Sequence, residues 1–89
     1  MKLKYNFVVR SVAGRSVAVA VGEDNAKFNG MVKLNETGEF IFNMLIGDGT
    51  AIEDIIKALM DKYSIDEATA KDAADGFIGT LAQNGLIVE

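Results

Sequence analysis

The side chains in this sequence that could perform acid–base or metal chemistry are carboxylates, because it contains 13 Asp and Glu residues but no His and no Cys. Without histidine, the chain lacks the commonest general base and the commonest metal ligand at neutral pH. Without cysteine, disulfides and thiolate metal sites are excluded. Carboxylates alone could hold Ca²⁺ or Mg²⁺, but no stretch has the spaced acidic loop of an EF-hand.

The spacing of the carboxylates indicates structural roles. Most fit helix caps, first-turn positions or solvated helix faces. They are Glu36, Glu39, Asp48, Glu53, Asp54, Asp61, Asp66, Glu67, Asp72 and Asp75. The segment Gly47-Asp48-Gly49-Thr50 lacks the Gly-x-x-x-x-Gly-Lys-Ser/Thr arrangement of a phosphate loop, so it is interpreted as a turn between helices. We therefore expect no catalytic residue, no metal, no cofactor and no enzymatic activity.

Chain length and net charge limit the number of domains and the kinds of partner that the protein can have. Eighty-nine residues predict one domain spanning 1–89. The net charge of −4 disfavours a duplex nucleic-acid partner, which requires a concentrated basic surface. The start of the chain lacks the pattern of a signal peptide, and no apolar run approaches the roughly 18 residues of a membrane span. We therefore expect a cytoplasmic protein with no membrane partner.

The pattern of apolar residues predicts an α+β fold, with strands over residues 7–34 and helices over residues 36–83. The strands are predicted at Phe7 to Val12, Ser16 to Val21 and Phe28 to Leu34. Their connections are a hairpin turn at 13–15 and a turn cluster at 22–25. In the third strand, Val32 faces the core and Met31 and Lys33 face away.

Helix boundaries are signalled by capping residues. Asn35 is the predicted N-cap of the first helix, and Asp66 that of the third. Thr50 to Glu53 matches a capping box for the second helix, whose apolar residues follow a regular i, i+3, i+4 pattern. The pair Asn84-Gly85 predicts the end of the third helix in a Schellman motif, followed by a segment that packs back onto the core or forms a short strand.

The order of three segments resembles the PqqD-like family, also called the RiPP recognition element. They are Leu34-Asn35-Glu36-Thr37-Gly38 at the strand–helix junction, Ile46-Gly47-Asp48-Gly49-Thr50 between helices, and Gly85-Leu86-Ile87 at the end. The resemblance covers about residues 5–88. It implies a winged helix-turn-helix fold, with a three-stranded antiparallel sheet followed by three helices. Where the family has an acidic residue in the third helix, this sequence has Ala73, next to Asp72.

The resemblance also implies a function. Members of the family bind the leader segment of a ribosomally made precursor peptide and present it to a modifying enzyme, often a radical SAM protein, as in coenzyme PQQ synthesis. The leader adds as a strand beside the third strand, in the cleft between that strand and the third helix. On this chain the candidate peptide-binding residues are Asn29, Gly30, Met31, Val32, Lys33, Ala73, Gly76, Phe77, Ile78 and Thr80.

The residues themselves support strand addition and leave a question about the third helix. The edge of a three-stranded sheet has unpaired backbone groups with which an extended peptide can pair. Gly76 and Gly79 lie inside the predicted third helix, where each costs up to about 1 kcal/mol relative to Ala. They allow a bound peptide to approach the helix closely, allow another helix of the same fold to pack tightly, or simply reflect sequence drift.

Two other functions remain open from the sequence. A structural or oligomerisation domain could use the edge strand and the small-residue helix face for a homodimer. A nucleic-acid-binding winged helix would place exposed basic residues on its recognition helix. The predicted third helix carries only Lys71 beside Glu67, Asp72 and Asp75, so nucleic-acid binding is the less favoured alternative.

Overall fold

A computed structural model describes residues 1–28 and 30–88 of the chain. In this part of the chain the elements are, in order, β1 (Lys2–Leu3), β2 (Phe7–Val12), β3 (Arg15–Ala20), α1 (Asp24–Lys27), β4 (Met31–Leu34), α2 (Glu36–Leu45), α3 (Ile52–Tyr63), α4 (Glu67–Gln83) and β5 (Ile87–Val88). Strands β2, β3 and β4 form an antiparallel sheet, and three long helices follow it. The predicted α+β class, with a three-stranded antiparallel sheet followed by three long helices, is confirmed, and β1 and α1 are elements that were not predicted.

The hairpin between β2 and β3 is a two-residue turn. Ala13 and Gly14 both have positive φ angles, of 52° and 77°, as a type I′ turn requires, and the twist of this turn matches that of the strands it joins. Val12 pairs directly with Arg15, so β3 begins one residue earlier than predicted and ends one residue earlier, at Ala20.

The third strand of the sheet is shorter than predicted. It was expected from Phe28, but β4 begins at Met31, because the preceding turn cluster continues into the short helix α1. The carboxylate of Asp24 accepts a hydrogen bond from the Asn6 N–H at 2.7 Å, and the Phe28 N–H donates to the Asp24 carbonyl at 2.9 Å. Gly30 therefore lies in a bend before the strand.

The pairing register divides the sheet into two faces, because directly opposite residues in an antiparallel sheet point the same way. The inner face, which packs against the helices, carries only apolar side chains at its core positions. They are Phe7, Val9, Ala18, Ala20, Val32 and Leu34. The predicted inward orientation of Val32 is confirmed. The alternate strand residues form an outer face that no helix covers in the described part of the chain.

The helices complete the core through the predicted apolar stripes. In α2, the Asn35 side chain accepts a hydrogen bond from the Gly38 N–H at 2.7 Å, which confirms the N-cap. Phe42 of this helix is fully buried and meets Phe7 edge-to-face at 5.4 Å between ring centroids. The buried residues of the other two long helices are Ile55 and Leu59 in α3, and Ala70, Ala74 and Leu81 in α4.

The predicted capping box at the start of α3 is wrong. The N-cap is Ala51, and no side chain caps the helix. The backbone of Thr50 instead bonds with the start of the chain: its N–H donates to the Met1 carbonyl at 2.9 Å, and its carbonyl accepts from the Met1 amino group at 3.0 Å. This long-range pairing holds Thr50 outside the helix.

The end of α4 has the predicted Schellman motif. Gly85 has a φ angle of 71°, the Leu86 N–H donates to the Leu81 carbonyl at 3.0 Å, and the Gly85 N–H donates to the Ala82 carbonyl at 3.0 Å. Leu86 is buried, and the chain continues into β5. This short strand pairs antiparallel with β1.

Asp66 caps α4 as predicted, and this cap leads to a prediction about pH. Hydrogen bonds from the Thr69 side chain and from its N–H, the latter at 2.8 Å, lower the pKa of Asp66 below its ordinary value of 3.8. A carboxyl with a lowered pKa in the folded state stabilises the fold above its unfolded pKa, and this contribution is lost as pH falls through the folded pKa. We therefore expect the urea midpoint of the wild type to exceed that of Asp66→Asn at neutral pH.

The difference between these two proteins should shrink in acid and disappear below the folded pKa of Asp66. Urea unfolding of both proteins at several pH values measures it. The asparagine variant is the matched comparison because its amide oxygen can still cap the helix but cannot titrate. A difference that stayed constant from neutral to acidic pH would contradict the role given to the charge of Asp66.

Candidate functional site

Strand β4 is an edge of the sheet. The strand order is β2-β3-β4, and no strand in residues 1–28 and 30–88 pairs with the other side of β4. An edge strand presents a row of free N–H and C=O groups, which is a template for another extended chain. Four residues at about 3.3 Å each give β4 a length that pairs with only a few residues of a partner.

The two faces of β4 differ in chemistry. Val32 and Leu34 point to the core, whereas Met31 and Lys33 point to the outer face and are exposed. The Met31 side chain is 55% exposed, although an apolar side chain of this size is usually buried. An exposed methionine on an edge strand is an adaptable contact for a partner.

One flank of α4 lies beside the start of α2, which directly follows β4. Phe77 packs on Gly38, and a methyl group on Gly38 would lie 2.9 Å from a ring carbon of Phe77. The main contacts join β4 to α2 and α2 to α4, with at most marginal contact between β4 and α4. In the described part of the chain, the start of α2 therefore links β4 to the Phe77 flank of α4.

Helical periodicity places three small residues on the same flank as Phe77. Successive α-helical residues are rotated by about 100°, so Ala73, Gly76 and Thr80 lie to one side of the buried stripe. Ala73 is half-buried, and Gly76 and Thr80 are exposed. The Thr80 hydroxyl donates to the Gly76 carbonyl at 3.1 Å, so its polar group is satisfied within the helix.

The two glycines of α4 do not allow close packing inside the domain. A methyl group built on either Gly76 or Gly79 would have no neighbour within 4 Å in the described part of the chain. Tight packing of another helix therefore does not explain them. The space over both glycines is open, and by helical periodicity Gly76 lies about 60° from Ala73 and about 40° from Thr80, whereas Gly79 lies about 120° and about 100° from them.

The remaining candidate residues lie outside β4 and outside the Ala73 flank of α4. Ile78 shares a flank with Lys71, seven residues earlier, and Lys71 lies with Ile56 and Met60 around a groove between α3 and α4. Ile78 is therefore separated from the Ala73 flank by the buried stripe. Gly30 lies in the bend before β4, and Asn29 is outside the described residues.

The side chains in this region offer binding chemistry. Within residues 1–28 and 30–88, no group of three or more carboxylates is placed to hold a metal ion. None of the helices in those residues is long and apolar enough to cross a membrane. Burial, with a contribution from Glu36, raises the pKa of Tyr63 above its ordinary value. Strand β4 thus provides main-chain groups, exposed Met31 and one cation, Lys33, and the flank of α4 beside the start of α2 provides Phe77 and small residues.

Comparison with known proteins decides the family. The profile of the family described as coenzyme PQQ synthesis protein D (PqqD) matches residues 7–87. The chain belongs to the PqqD family. The match includes the three-stranded sheet and the three long helices, so the resemblance found in the sequence is confirmed. No curated protein matches this PqqD-family chain at the sequence level.

A solved structure with the same fold adds a point of comparison. The PqqD-family chain is similar to the protein in a structure described as TbiB1 in complex with the TbiA(beta) leader peptide. The TM-score is 0.73 with 23% sequence identity, and the alignment covers 97% of this chain and 93% of the other. At this identity the likeness establishes the fold, and it confirms the predicted architecture over nearly the whole chain.

Sequence reasoning missed one feature of the site, the contact between Phe77 and Gly38. Gly38 was interpreted only as part of a helix start. Its lack of a side chain is what lets the Phe77 ring lie against the first turn of α2. A glycine in the first turn of a helix, four residues after an edge strand, was the available signal for such a close approach.

Proposed function

We propose that this PqqD-family protein binds the leader segment of a ribosomally made precursor peptide and presents it to a modifying enzyme. The leader adds as a strand to the free edge of β4 and lies in the cleft beside the Phe77 flank of α4. The single observation that carries the proposal is the unpaired edge of β4 next to an open, small-residue helix flank. The leader peptide named with TbiB1, which has the same fold, supports it.

The proposed contacts are of two kinds. Main-chain groups of β4 give affinity, and the alternate side chains of the added strand give specificity. From β4 these contacts involve Met31, Val32 and Lys33. From α4 they involve Ala73, Gly76, Phe77 and Thr80, whereas Gly30 contacts the peptide only if it extends beyond the start of β4. Binding, without catalysis by this chain, is the proposed activity, and a radical SAM protein is the proposed partner enzyme.

The test uses amide exchange with the short peptides encoded next to the gene of this protein. The outward N–H groups of β4 should exchange readily in the free protein, and a peptide that adds as a strand should protect them. NMR detection of exchange at residues 31–34, together with shifts at residues 73–80, measures the effect. As a control, the same peptide with N-methyl groups on the alternate residues whose N–H groups point at β4 cannot form the ladder and should bind far more weakly.

Two outcomes would contradict the proposal. Protection of β4 that depends on protein concentration and not on peptide would indicate a homodimer that uses the same edge. Binding that protects the groove between α3 and α4, with β4 unchanged, would indicate a different surface. Nucleic-acid binding has little support because α4 carries Lys71 as its one cation, beside several carboxylates.

A further inference from the structure

The outer face of the sheet has an unusual charge distribution for a chain with a net charge of −4. Every strand residue on this face is either apolar or basic. They are Val8, Arg10, Val12, Arg15, Val17, Val19, Met31 and Lys33. Within residues 1–28 and 30–88, the one ion pair is between Lys27 and Asp24, so none of these three cations is paired with a carboxylate. A strand added to β4 would continue this face.

The row of side chains that ends at Lys33 lacks an anion. Arg10, Val17 and Lys33 lie directly opposite one another across the three strands. Val17 points away from the helices and yet is only 5% exposed, and the residues on its two sides, Arg10 and Lys33, have long side chains with aliphatic stems. The next residue in this row, on an added strand, would lie about 5 Å from Lys33 between Cβ atoms.

On the side of the Lys33 row that leads towards Met31, the next two rows of side chains are apolar. Val8, Val19 and Met31 form the adjacent row on the outer face. Between these two outer rows, an inner row ends at Val32, which faces the core. An added strand would therefore place one side chain beside exposed Met31, the next beside Val32 and the Phe77 flank, and the third beside Lys33.

We infer that the recognised peptide carries Asp or Glu at the position paired with Lys33, and apolar residues at the positions paired with Val32 and Met31. Depending on strand direction, the peptide has the local order acidic–apolar–apolar or apolar–apolar–acidic. The inference rests on the proposed strand addition to β4. It names the class of leader that this site accepts and assigns Lys33 as a residue that determines specificity.

Two carboxylates, Glu36 and Glu39, also lie near Lys33 and could compete with an acidic residue of the peptide. A groove of about 850 Å³ on this side of β4 is lined by Lys33 and Arg15, and also by Glu36 and Glu39 of α2. Glu39 accepts a hydrogen bond from the Ser16 hydroxyl, which points it towards β3. Glu36 follows the end of β4, beyond Leu34, so it does not belong to the Lys33 row. A preference for basic residues at the paired position is the rival outcome.

The experiment begins with a display library of random 12-residue peptides selected on the immobilised protein. Enriched peptides should share an acidic residue two positions from an apolar residue, with an apolar residue between them. One enriched peptide is then labelled with fluorescein and made with Glu, Gln or Lys at the acidic position. Wild-type protein should prefer Glu over Gln by about two- to fivefold, as expected for one cross-strand charge pair, and should bind the Lys peptide most weakly.

A charge reversal tests whether Lys33 is responsible. Lys33→Glu should reverse the order, with the Lys peptide bound most tightly, and new selections should enrich basic residues at that position. The matched control is Lys57→Glu on the exposed face of α3, which changes the net charge equally and should leave the order unchanged. The preference should weaken as salt is added, because both charges are exposed.

The outcomes separate this inference from the proposed function. Peptides that protect the β4 amides but bind equally well with Glu, Gln or Lys would overturn the inference and leave strand addition intact. A preference that Lys57→Glu alters as much as Lys33→Glu would overturn it as well. Failure of any peptide to protect the β4 amides would overturn the proposed function, and this inference with it.

Discussion

Replacing Gly76 by leucine is expected to weaken peptide binding by about tenfold or more while the domain stays folded. Gly76 lies on the flank of α4 that borders the proposed cleft, next to Ala73 and Thr80, and the space above it is open in the described part of the chain. A leucine side chain would fill the volume that the peptide needs between this flank and β4. Fluorescence anisotropy with a labelled leader peptide measures the affinity.

Gly79→Leu is the matched control for this variant. A methyl group on Gly79 also meets no neighbour within 4 Å in the described residues, but Gly79 lies about 120° round α4 from Ala73, whereas Gly76 lies about 60° from it. Both substitutions replace a helix-interior glycine by a good helix former, so both should raise the free energy of unfolding by up to about 1 kcal/mol. Wild-type affinity in folded Gly76→Leu would show that the peptide does not approach this flank.

Much of the fold could be predicted because its signals are local. The caps at Asn35 and Asp66 and the Schellman motif at Gly85 each depend on residues within one or two helical turns. The apolar stripes of the helices follow from the 3.6-residue period alone. These predictions did not require knowledge of which elements meet.

The errors arose where distant segments compete for the same backbone groups. Thr50 has the sequence signature of a capping box, but Met1 takes both of its main-chain groups. The early part of the expected third strand is used by α1, whose Asp24 bonds to the Asn6 N–H. The pairing of β1 with β5 joins the two ends of the chain, and no local pattern in two-residue strands reveals it.

Prediction of the candidate site depended on knowing the strand order more than on recognising any motif. That Met31 to Lys33 form a free edge follows only once β3 is known to pair with β2 and β4 on its two sides. The resemblance to the PqqD family implied this order, and composition could not have done so. The position of Ile78, in contrast, was available from the sequence, since its spacing from Ala70 and Ala74 places it on the flank opposite Ala73.

Replacing Gly49 by alanine is expected to lower the free energy of unfolding by more than about 2 kcal/mol. Gly49 has a φ angle of 81°, which side-chain-bearing residues adopt at a cost. A methyl group there would also collide with the Met1 carbonyl and with Lys2. Because the obstacle is backbone, the chain can relieve the collision only by moving Met1 away from Thr50, which breaks the two hydrogen bonds between them. Urea unfolding measures the loss of stability.

Gly47→Ala separates the two causes, since Gly47 has nearly the same φ angle, 83°, but a methyl group there meets nothing within 4 Å in the described residues. This variant should show only the backbone cost, about 1–2 kcal/mol. Amide exchange at Thr50 and at Lys4, whose N–H donates to the Leu86 carbonyl at 2.7 Å, should rise in Gly49→Ala alone. Equal losses of stability in the two variants, with unchanged exchange at Thr50, would mean that contacts with Met1 and Lys2 do not stabilise the turn between α2 and α3. The difference between the variants therefore measures how strongly β1 ties this turn to the C-terminal strand β5.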